Sequence, residues 1–74
     1  HPNIVETLAI EPLEDGSVAI VAAHVRGRTL REAVRDTGAF SPDQTARVLR
    51  DVAAALAHAH AARIVHRDVK PENV

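Results

Sequence analysis

Eight residues near the end of the chain, His66-Arg67-Asp68-Val69-Lys70-Pro71-Glu72-Asn73, set the architecture expected for the rest of the sequence. Pro71 has no backbone N–H and disfavours helical angles at Lys70, so we expect a loop after the alanine-rich segment that precedes it. Asp68 is an acceptor when ionised, Lys70 is a compact positive charge, and Asn73 offers a neutral oxygen to a hard cation. Such a loop can accept a hydroxyl proton, neutralise a phosphate and supply a metal ligand.

The order and spacing of these residues resemble the H-R-D-x-x-x-x-N signature of the eukaryotic-type protein kinases. The resemblance implies that Asp68 is the base toward the substrate hydroxyl and that Asn73 binds magnesium. It also implies that Lys70 contacts the transferred phosphate of ATP, as in the serine/threonine branch. Arg67 is similar to the arginine that pairs with a phosphorylated activation loop in regulated kinases. A solvated loop of mixed charge is the alternative, but this order at this spacing is far less common.

The composition limits what the chain can bury. Alanine accounts for 14 residues of the 46% hydrophobic content, and only one residue is aromatic. A domain of roughly this size buries only about 60% of its unfolded surface. The chain has no cysteine to form a stabilising disulfide, and it starts with His1 rather than methionine. We therefore expect an incomplete domain that folds weakly by itself.

Charge and hydropathy exclude several classes of partner. The formal net charge of −1 is spread along the chain, so no basic patch predicts nucleic-acid binding. No apolar run approaches the roughly 20 residues that span a bilayer, so we expect no membrane contact by this segment. The expected location is cytoplasmic, although a parent protein with a membrane anchor elsewhere is compatible with this segment. The abundance of alanine, arginine and valine favours a bacterial source.

The first third of the chain predicts a hairpin. Residues 7–11 alternate in polarity, residues 18–22 form a short apolar run, and Asp15-Gly16 between them is a strong turn signal. We predict antiparallel strands over about residues 6–11 and 18–23. By the kinase resemblance these are the fourth and fifth strands of the small lobe. An unrelated hairpin would explain the segment equally well without its neighbours.

The segment Ala22-Ala23-His24-Val25-Arg26-Gly27 resembles the kinase hinge. The resemblance implies that adenine is bound by the carbonyl of Ala23 and by the N–H and carbonyl of Val25. Two positions depart from the family pattern: Ala23 replaces a common acidic residue, and Ala22 is small at the so-called gatekeeper position. Neither change removes a backbone hydrogen-bonding group.

Two helices follow. Thr29 and Glu32 form a capping box that predicts a helix ending near Gly38. Thr29 also matches a position that often contacts the ribose of ATP, although its cap role is sufficient to explain it. The segment Ser41-Pro42-Asp43-Gln44 repeats this capping signal, with proline at the first helical position, and predicts a second helix over residues 42–62. The apolar stripe predicted for this helix comprises Ala46, Leu49, Val52, Ala53, Leu56 and His60.

Three residues near the end of the second helix have ordinary explanations. His58 and His60 are two residues apart and point to different faces, whereas metal-ligand pairs on a helix are three or four apart. A packed structural role is therefore expected for His60. Arg63 stands where the family usually has glycine, and left-handed backbone angles there would cost about 1–2 kcal/mol.

The sequence thus predicts an α+β fold, a partial protein-kinase-like domain with a β-hairpin, hinge, short helix, long helix and catalytic loop. Residues 1–25 correspond to the end of the small lobe and the hinge, and residues 26–74 to the start of the large lobe. We expect the parent protein to transfer the γ-phosphate of ATP, with Mg²⁺, to a Ser or Thr hydroxyl of a protein substrate.

The glycine-rich loop, the strand lysine and the DFG aspartate of the family are absent from this sequence. The isolated chain is therefore expected to be inactive without the remainder of the kinase domain. The alternatives are a pseudokinase that acts as a binding scaffold and a truncated gene product without function. Intact Asp68, Lys70 and Asn73 favour a catalytic parent.

Overall fold

A computed structural model describes all 74 residues of the chain. The elements are β1 (Thr7–Pro12), β2 (Val18–Ala22), α1 (Leu30–Thr37), α2 (Pro42–Ala61) and a 3₁₀ turn (Pro71–Asn73). This order is the α+β arrangement that the sequence predicts. The bounds of both strands and of α2 lie within one residue of those expected.

The hairpin forms around the predicted Asp-Gly turn. Strands β1 and β2 pair antiparallel, with Ile10 opposite Ile20 and an irregular register between Thr7 and Ala9. Gly16 takes the positive φ of 85° that the turn requires.

Asp15 fixes the conformation of this turn through its side chain. The hydroxyl of Ser17 donates to Asp15 Oδ1, and the backbone N–H of Ser17 donates to the same oxygen at 2.9 Å. Both bonds lower the pKa of Asp15 below its ordinary value, and the bond from the Ser17 hydroxyl has the larger effect.

Both helices begin with the predicted capping boxes. In α1 the Thr29 hydroxyl accepts from the Glu32 N–H at 3.2 Å, and Glu32 accepts from the Thr29 N–H at 2.8 Å. In α2 the same pair of bonds joins Ser41 and Gln44 at 3.2 and 2.9 Å. These bonds satisfy amide groups that a helix start leaves without partners. Helix α1 ends at Thr37, and the φ of 84° at Gly38 suits the position after a helix.

The apolar face predicted for α2 is partly wrong. Leu49 is 61% exposed, and Ala46, Ala53 and His60 are also exposed. The residues that are half-buried on α2 are Val48, Val52, Ala55, Leu56 and Ala59. Periodicity alone identified Val52 and Leu56 but not which side of the helix the rest of the chain would cover.

The covered side of α2 faces an open apolar cleft of about 610 Å³. Other residues that line it come from the start of the chain and from the loop after α2: His1, Asn3, Ile4, Val5, Ile64, His66 and Val69. The Asn3 side chain anchors the N-terminal segment by donating to the backbone carbonyl of Asp51 at 3.0 Å. The cleft thus joins the start of the chain to the loop after α2.

The chain lacks a core. None of its 74 residues is buried, and no helix packs against the two-stranded sheet. The accessible surface is 6354 Å², whereas a folded protein of this mass exposes about 4,400 Å². The radius of gyration is 14.9 Å, against about 11 Å for a compact domain of this length. No helix is both long and apolar enough to cross a membrane.

The connection from α2 to the loop uses a left-handed arginine. Arg63 has a φ of 60°. Its N–H donates to the carbonyl of His60, and the N–H of Ile64 donates to the carbonyl of Ala59, both at 2.9 Å. This pair of bonds is the Schellman motif, in which glycine is the preferred residue at the position of Arg63.

We predict that the isolated 74-residue chain does not unfold cooperatively. Because no residue is buried, unfolding exposes less apolar surface than it does in a compact domain of this length, so the dependence on denaturant should be shallower. Urea titration followed by far-UV circular dichroism should give a broad, gradual change. Gel filtration should show self-association, because exposed apolar faces remain uncovered. A sharp transition from a monomer would contradict this prediction.

We predict that Arg63→Gly stabilises a complete domain containing this segment by about 1 kcal/mol, because glycine removes the left-handed penalty. The matched control is Arg47→Gly in the exposed middle of α2, which should destabilise by about 1 kcal/mol. Urea unfolding of the two variants measures both effects. A loss of stability in Arg63→Gly would show that the arginine side chain compensates for its backbone strain.

Candidate catalytic and nucleotide-binding site

The loop His66–Asn73 turns back on itself through proline. Lys70 is extended, with φ −158° and ψ 161°, as expected for a residue before proline. The 3₁₀ turn then follows, closed by the N–H of Asn73 donating to the carbonyl of Lys70 at 2.9 Å. This turn carries the side chain of Asn73 back toward Asp68.

Three of the predicted site residues meet at the carboxylate of Asp68. The amide nitrogen of Asn73 donates to the Asp68 backbone carbonyl at 2.9 Å and to Asp68 Oδ2 at 3.2 Å. The ammonium of Lys70 also lies 3.2 Å from Asp68 Oδ2. Two donors therefore hold Asp68 Oδ2. The other oxygen, Asp68 Oδ1, remains free to accept a hydrogen bond from another group.

The orientation of Asn73 leaves its amide oxygen available. Because the amide nitrogen of Asn73 faces two acceptor oxygens of Asp68, the amide oxygen Asn73 Oδ1 must face away from them. A neutral amide oxygen suits Mg²⁺, which takes one or two protein ligands and completes its shell with water and phosphate. The chain holds no cluster of three acidic or histidine residues that could form a metal cage by itself. Asn73 therefore fits a shared magnesium site and not a closed one.

Two neighbours fix the backbone before Asp68. The ring nitrogen Nδ1 of His66 accepts from the N–H of Asp68 at 3.1 Å. Arg67 between them has a φ of 66°, a left-handed conformation that costs an arginine about 1–2 kcal/mol. No role for His66 was predicted from the sequence, although an imidazole two residues before the aspartate was an available signal. Arg67 makes no ion pair within the chain, so its charge stays open to an external anion.

The hinge segment leaves the expected adenine-binding groups free. The N–H of Ala23 donates to the carbonyl of Glu6 at 2.9 Å, which continues the pairing of the strands past Ala22. The carbonyl of Ala23 and both backbone groups of Val25 make no hydrogen bond within the chain. Val25 is 65% exposed. These backbone groups can therefore bind a ligand without breaking the hairpin.

The start of α1 meets the end of the loop. The N–H of Leu30 donates to the carbonyl of Val74 at 2.6 Å, and Arg31 Nε lies 3.6 Å from Glu72 Oε1. Thr29 caps the same helix end. The predicted ribose position and the predicted magnesium ligand Asn73 thus belong to segments in direct contact. Sequence reasoning missed this contact because its partners are more than 40 residues apart in the chain.

The cleft beside α2 is lined by Asn73 but not by Asp68. Asn73 lines the open cleft beside α2, whereas Ala23, Val25 and Thr29 do not. His58 lies in this cleft with its ring 5.2 Å from that of His1, and exposed His60 is not among the lining residues. The two histidines therefore lie on different faces, as predicted, but the packed role predicted for His60 is wrong, because its side chain is exposed.

Comparison with known proteins decides the family. The model of the protein kinase domain matches residues 1–74. The chain belongs to the protein kinase domain family. The chain is 39% identical over 74 residues to the serine/threonine-protein kinase PrkC of Bacillus subtilis, covering all of this chain and 11% of that protein. It is 42% identical over 74 residues to the serine/threonine-protein kinase PkaB of Streptomyces coelicolor, again over the whole chain and 18% of that protein.

A third kinase relative shows the same pattern over a shorter stretch. The probable serine/threonine-protein kinase PknB of Corynebacterium glutamicum is 49% identical over 55 residues, which are 74% of this chain and 8% of that protein. No solved structure matches the chain. The chain spans less than one fifth of the length of each of these relatives. The match confirms the kinase resemblance of the sequence, and protein kinases as a family use ATP and Mg²⁺.

Proposed function

We propose that these 74 residues form the hinge-to-catalytic-loop part of a serine/threonine protein kinase. Such an enzyme transfers the γ-phosphate of ATP to a Ser or Thr hydroxyl of a protein substrate. The observation that supports this most directly is the convergence of Lys70 and Asn73 on the carboxylate of Asp68. Residues 1–25 are then the end of the small lobe and the hinge, and residues 26–74 begin the large lobe.

In this proposal Asp68 receives the proton of the substrate hydroxyl. Its oxygen Oδ2 is held by two donors, so Oδ1 is the atom that faces the hydroxyl. Transfer of a phosphoryl group depends mainly on positioning and on neutralisation of charge. Asn73 donates to the carboxylate and to the backbone carbonyl of Asp68, and His66 accepts from the Asp68 N–H, so these bonds supply the positioning.

Charge neutralisation comes from Lys70 and from the bound metal. The ammonium of Lys70 lies 3.2 Å from Asp68 Oδ2, so its positive charge is next to the proposed base. Magnesium, when bound, screens the negative charge of the phosphates, and Asn73 Oδ1 is the residue atom proposed to hold it. Arg67, with no ion pair in the chain, is the proposed partner of a phosphorylated activation loop.

The nucleotide is held at the hinge. The carbonyl of Ala23 accepts from the exocyclic amine of adenine, while the N–H and carbonyl of Val25 supply the other backbone contacts. Thr29 is the proposed ribose contact, although its hydroxyl accepts from the Glu32 N–H as a helix cap. Because all adenine contacts proposed here come from the backbone, the plain side chains of the hinge are compatible with binding.

The proposed partners are the remainder of a kinase domain and a protein substrate, and neither nucleic acid nor membrane contact is proposed for this segment. The exposed apolar surfaces of β1, β2 and α2 are consistent with the first partner. A cytoplasmic location is proposed, because the phosphate donor is ATP. The second candidate is a pseudokinase scaffold, favoured only by alanine at position 23, where the kinase resemblance implies an acidic residue.

We predict that Asp68→Asn in the complete protein lowers the rate of phosphoryl transfer by about 10²–10⁴-fold while ATP still binds. The amide keeps the shape of the carboxylate but is a poor proton acceptor. The control is Asp36→Asn, because Asp36 is exposed and pairs only with Arg28 and Arg35. Initial rates with a peptide substrate and calorimetry with Mg-ATP measure the two properties. A wild-type enzyme that binds ATP without transferring phosphate would instead favour the scaffold.

We predict that Ala22 lets the complete protein accept adenine analogues with a bulky group beyond the hinge. A benzyl-sized group that is buried there gains about 2–3 kcal/mol before ordering costs. Ala22→Met should remove that gain and leave ATP affinity nearly unchanged. Inhibition by a matched pair of compounds, with and without the bulky group, measures the difference. Equal potency on both proteins would show that Ala22, opposite Thr7 in the sheet, does not face the adenine cavity.

A further inference from the structure

Helix α1 holds the 3₁₀ turn at two points. The N–H of Leu30, the first residue of the helix, donates to the carbonyl of Val74 at 2.6 Å. One residue on, Arg31 Nε lies 3.6 Å from Glu72 Oε1. Helix starts leave amide groups unpaired, and here one of them is satisfied by the residue that directly follows the turn. Helix α2 makes no comparable contact with the turn.

The contact between Arg31 and Glu72 can affect Asp68 because only one residue, Asn73, lies between Glu72 and the carboxylate of Asp68. Glu72 is the middle residue of the turn Pro71–Asn73, between a proline of fixed φ and the residue whose amide bonds to Asp68. A shift of Glu72 must therefore move Asn73. Because Asn73 holds both the backbone carbonyl and the carboxylate of Asp68, its displacement changes the direction of that carboxylate.

We propose that Arg31 and Glu72 are positioning residues, whose ion pair fixes the 3₁₀ turn and through it Asn73 and Asp68. The inference rests on the proposed function, because it concerns the geometry of the proposed base and magnesium ligand. It also couples the hinge side of the molecule to that base, since α1 begins at Leu30, three residues after the last residue of the hinge. Neither residue touches the substrate in this proposal.

The size of the effect is limited by exposure. The side chains of Arg31 and Glu72 are 67% and 46% exposed, and the single contact of 3.6 Å is not bidentate. Exposed pairs of this kind change an equilibrium by about two- to fivefold and are weakened by salt. The turn also keeps the Leu30–Val74 bond, so loss of the ion pair loosens the site without dissolving it.

The test is a charge-reversal cycle in the complete protein: Arg31→Glu, Glu72→Arg and the double variant Arg31→Glu/Glu72→Arg. At low salt each single variant should lower kcat about two- to fivefold, and the KM for Mg-ATP should stay near the wild-type value. The double variant should recover most of kcat, because the opposite charges meet again. The control is Arg35→Glu, one turn along α1, where the arginine pairs only with Asp36; its kcat should be unchanged.

High salt should bring the single variants closer to wild type, which a packing defect would not do. A double variant no better than the single ones, or a single variant with wild-type kcat, would overturn the inference. Thermal unfolding of all variants separates geometry from stability: a lower Tm at unchanged kcat also overturns it. Asp68→Asn in the same assay separates the two proposals. If Asp68→Asn is inactive and the cycle shows no coupling, only the positioning role is lost; if Asp68→Asn stays active, the proposed function fails with it.

Discussion

The geometry of the site depends on one amide nitrogen. Asn73 Nδ2 donates at once to the backbone carbonyl and to the carboxylate of Asp68, five residues earlier. A rotation of the Asp68 side chain breaks the second bond, and a change of its backbone breaks the first. The position of Lys70 next to the same carboxylate oxygen follows from the extended backbone that Pro71 imposes on it. The chemistry of the loop is therefore specified by hydrogen bonds between residues close in sequence, and none of these bonds needs a hydrophobic core.

The rest of the molecule, unlike the loop, would need burial of its apolar side chains for stability. Its hairpin, its long helix and its cleft expose apolar side chains such as Ile10 and Ile20, which are 67% and 70% exposed. Local bonds fix the shape of each element, but burial of apolar surface is the main source of stability. In this chain the elements keep their shape although none of their residues is buried. This difference explains how a site can be well formed on a scaffold with no buried residue.

What the sequence predicted follows the same division. The hairpin turn, both capping boxes and the ends of the helices depend on residues within five positions of one another, and the structure confirms them. The apolar face of α2 was partly wrong, since Leu49 is exposed and Val48 is half-buried. A helix pattern gives the period, but the covered side depends on where residues 1–5 and the later loop lie. The contact of Arg31 with Glu72 had no local signal either, because it depends on how α1 is placed against the turn.

Two arginines, Arg63 and Arg67, have left-handed backbone conformations for different reasons. Arg63 ends α2 in a Schellman motif, and Arg67, four residues later, turns the chain again before Asp68. The backbone penalty is of the same order at both positions, about 1–2 kcal/mol. At Arg63 the conformation satisfies helix carbonyls, a task for which glycine is better suited. At Arg67 the conformation goes with the bond from the Asp68 N–H to His66, and the side chain presents an unpaired charge beside the proposed base. Glycine at position 67 would relieve the strain and remove that charge, so the arginine at 67 has a reason that the arginine at 63 lacks. The strain at Arg63 accompanies the end of a helix, whereas the strain at Arg67 is part of the proposed catalytic site.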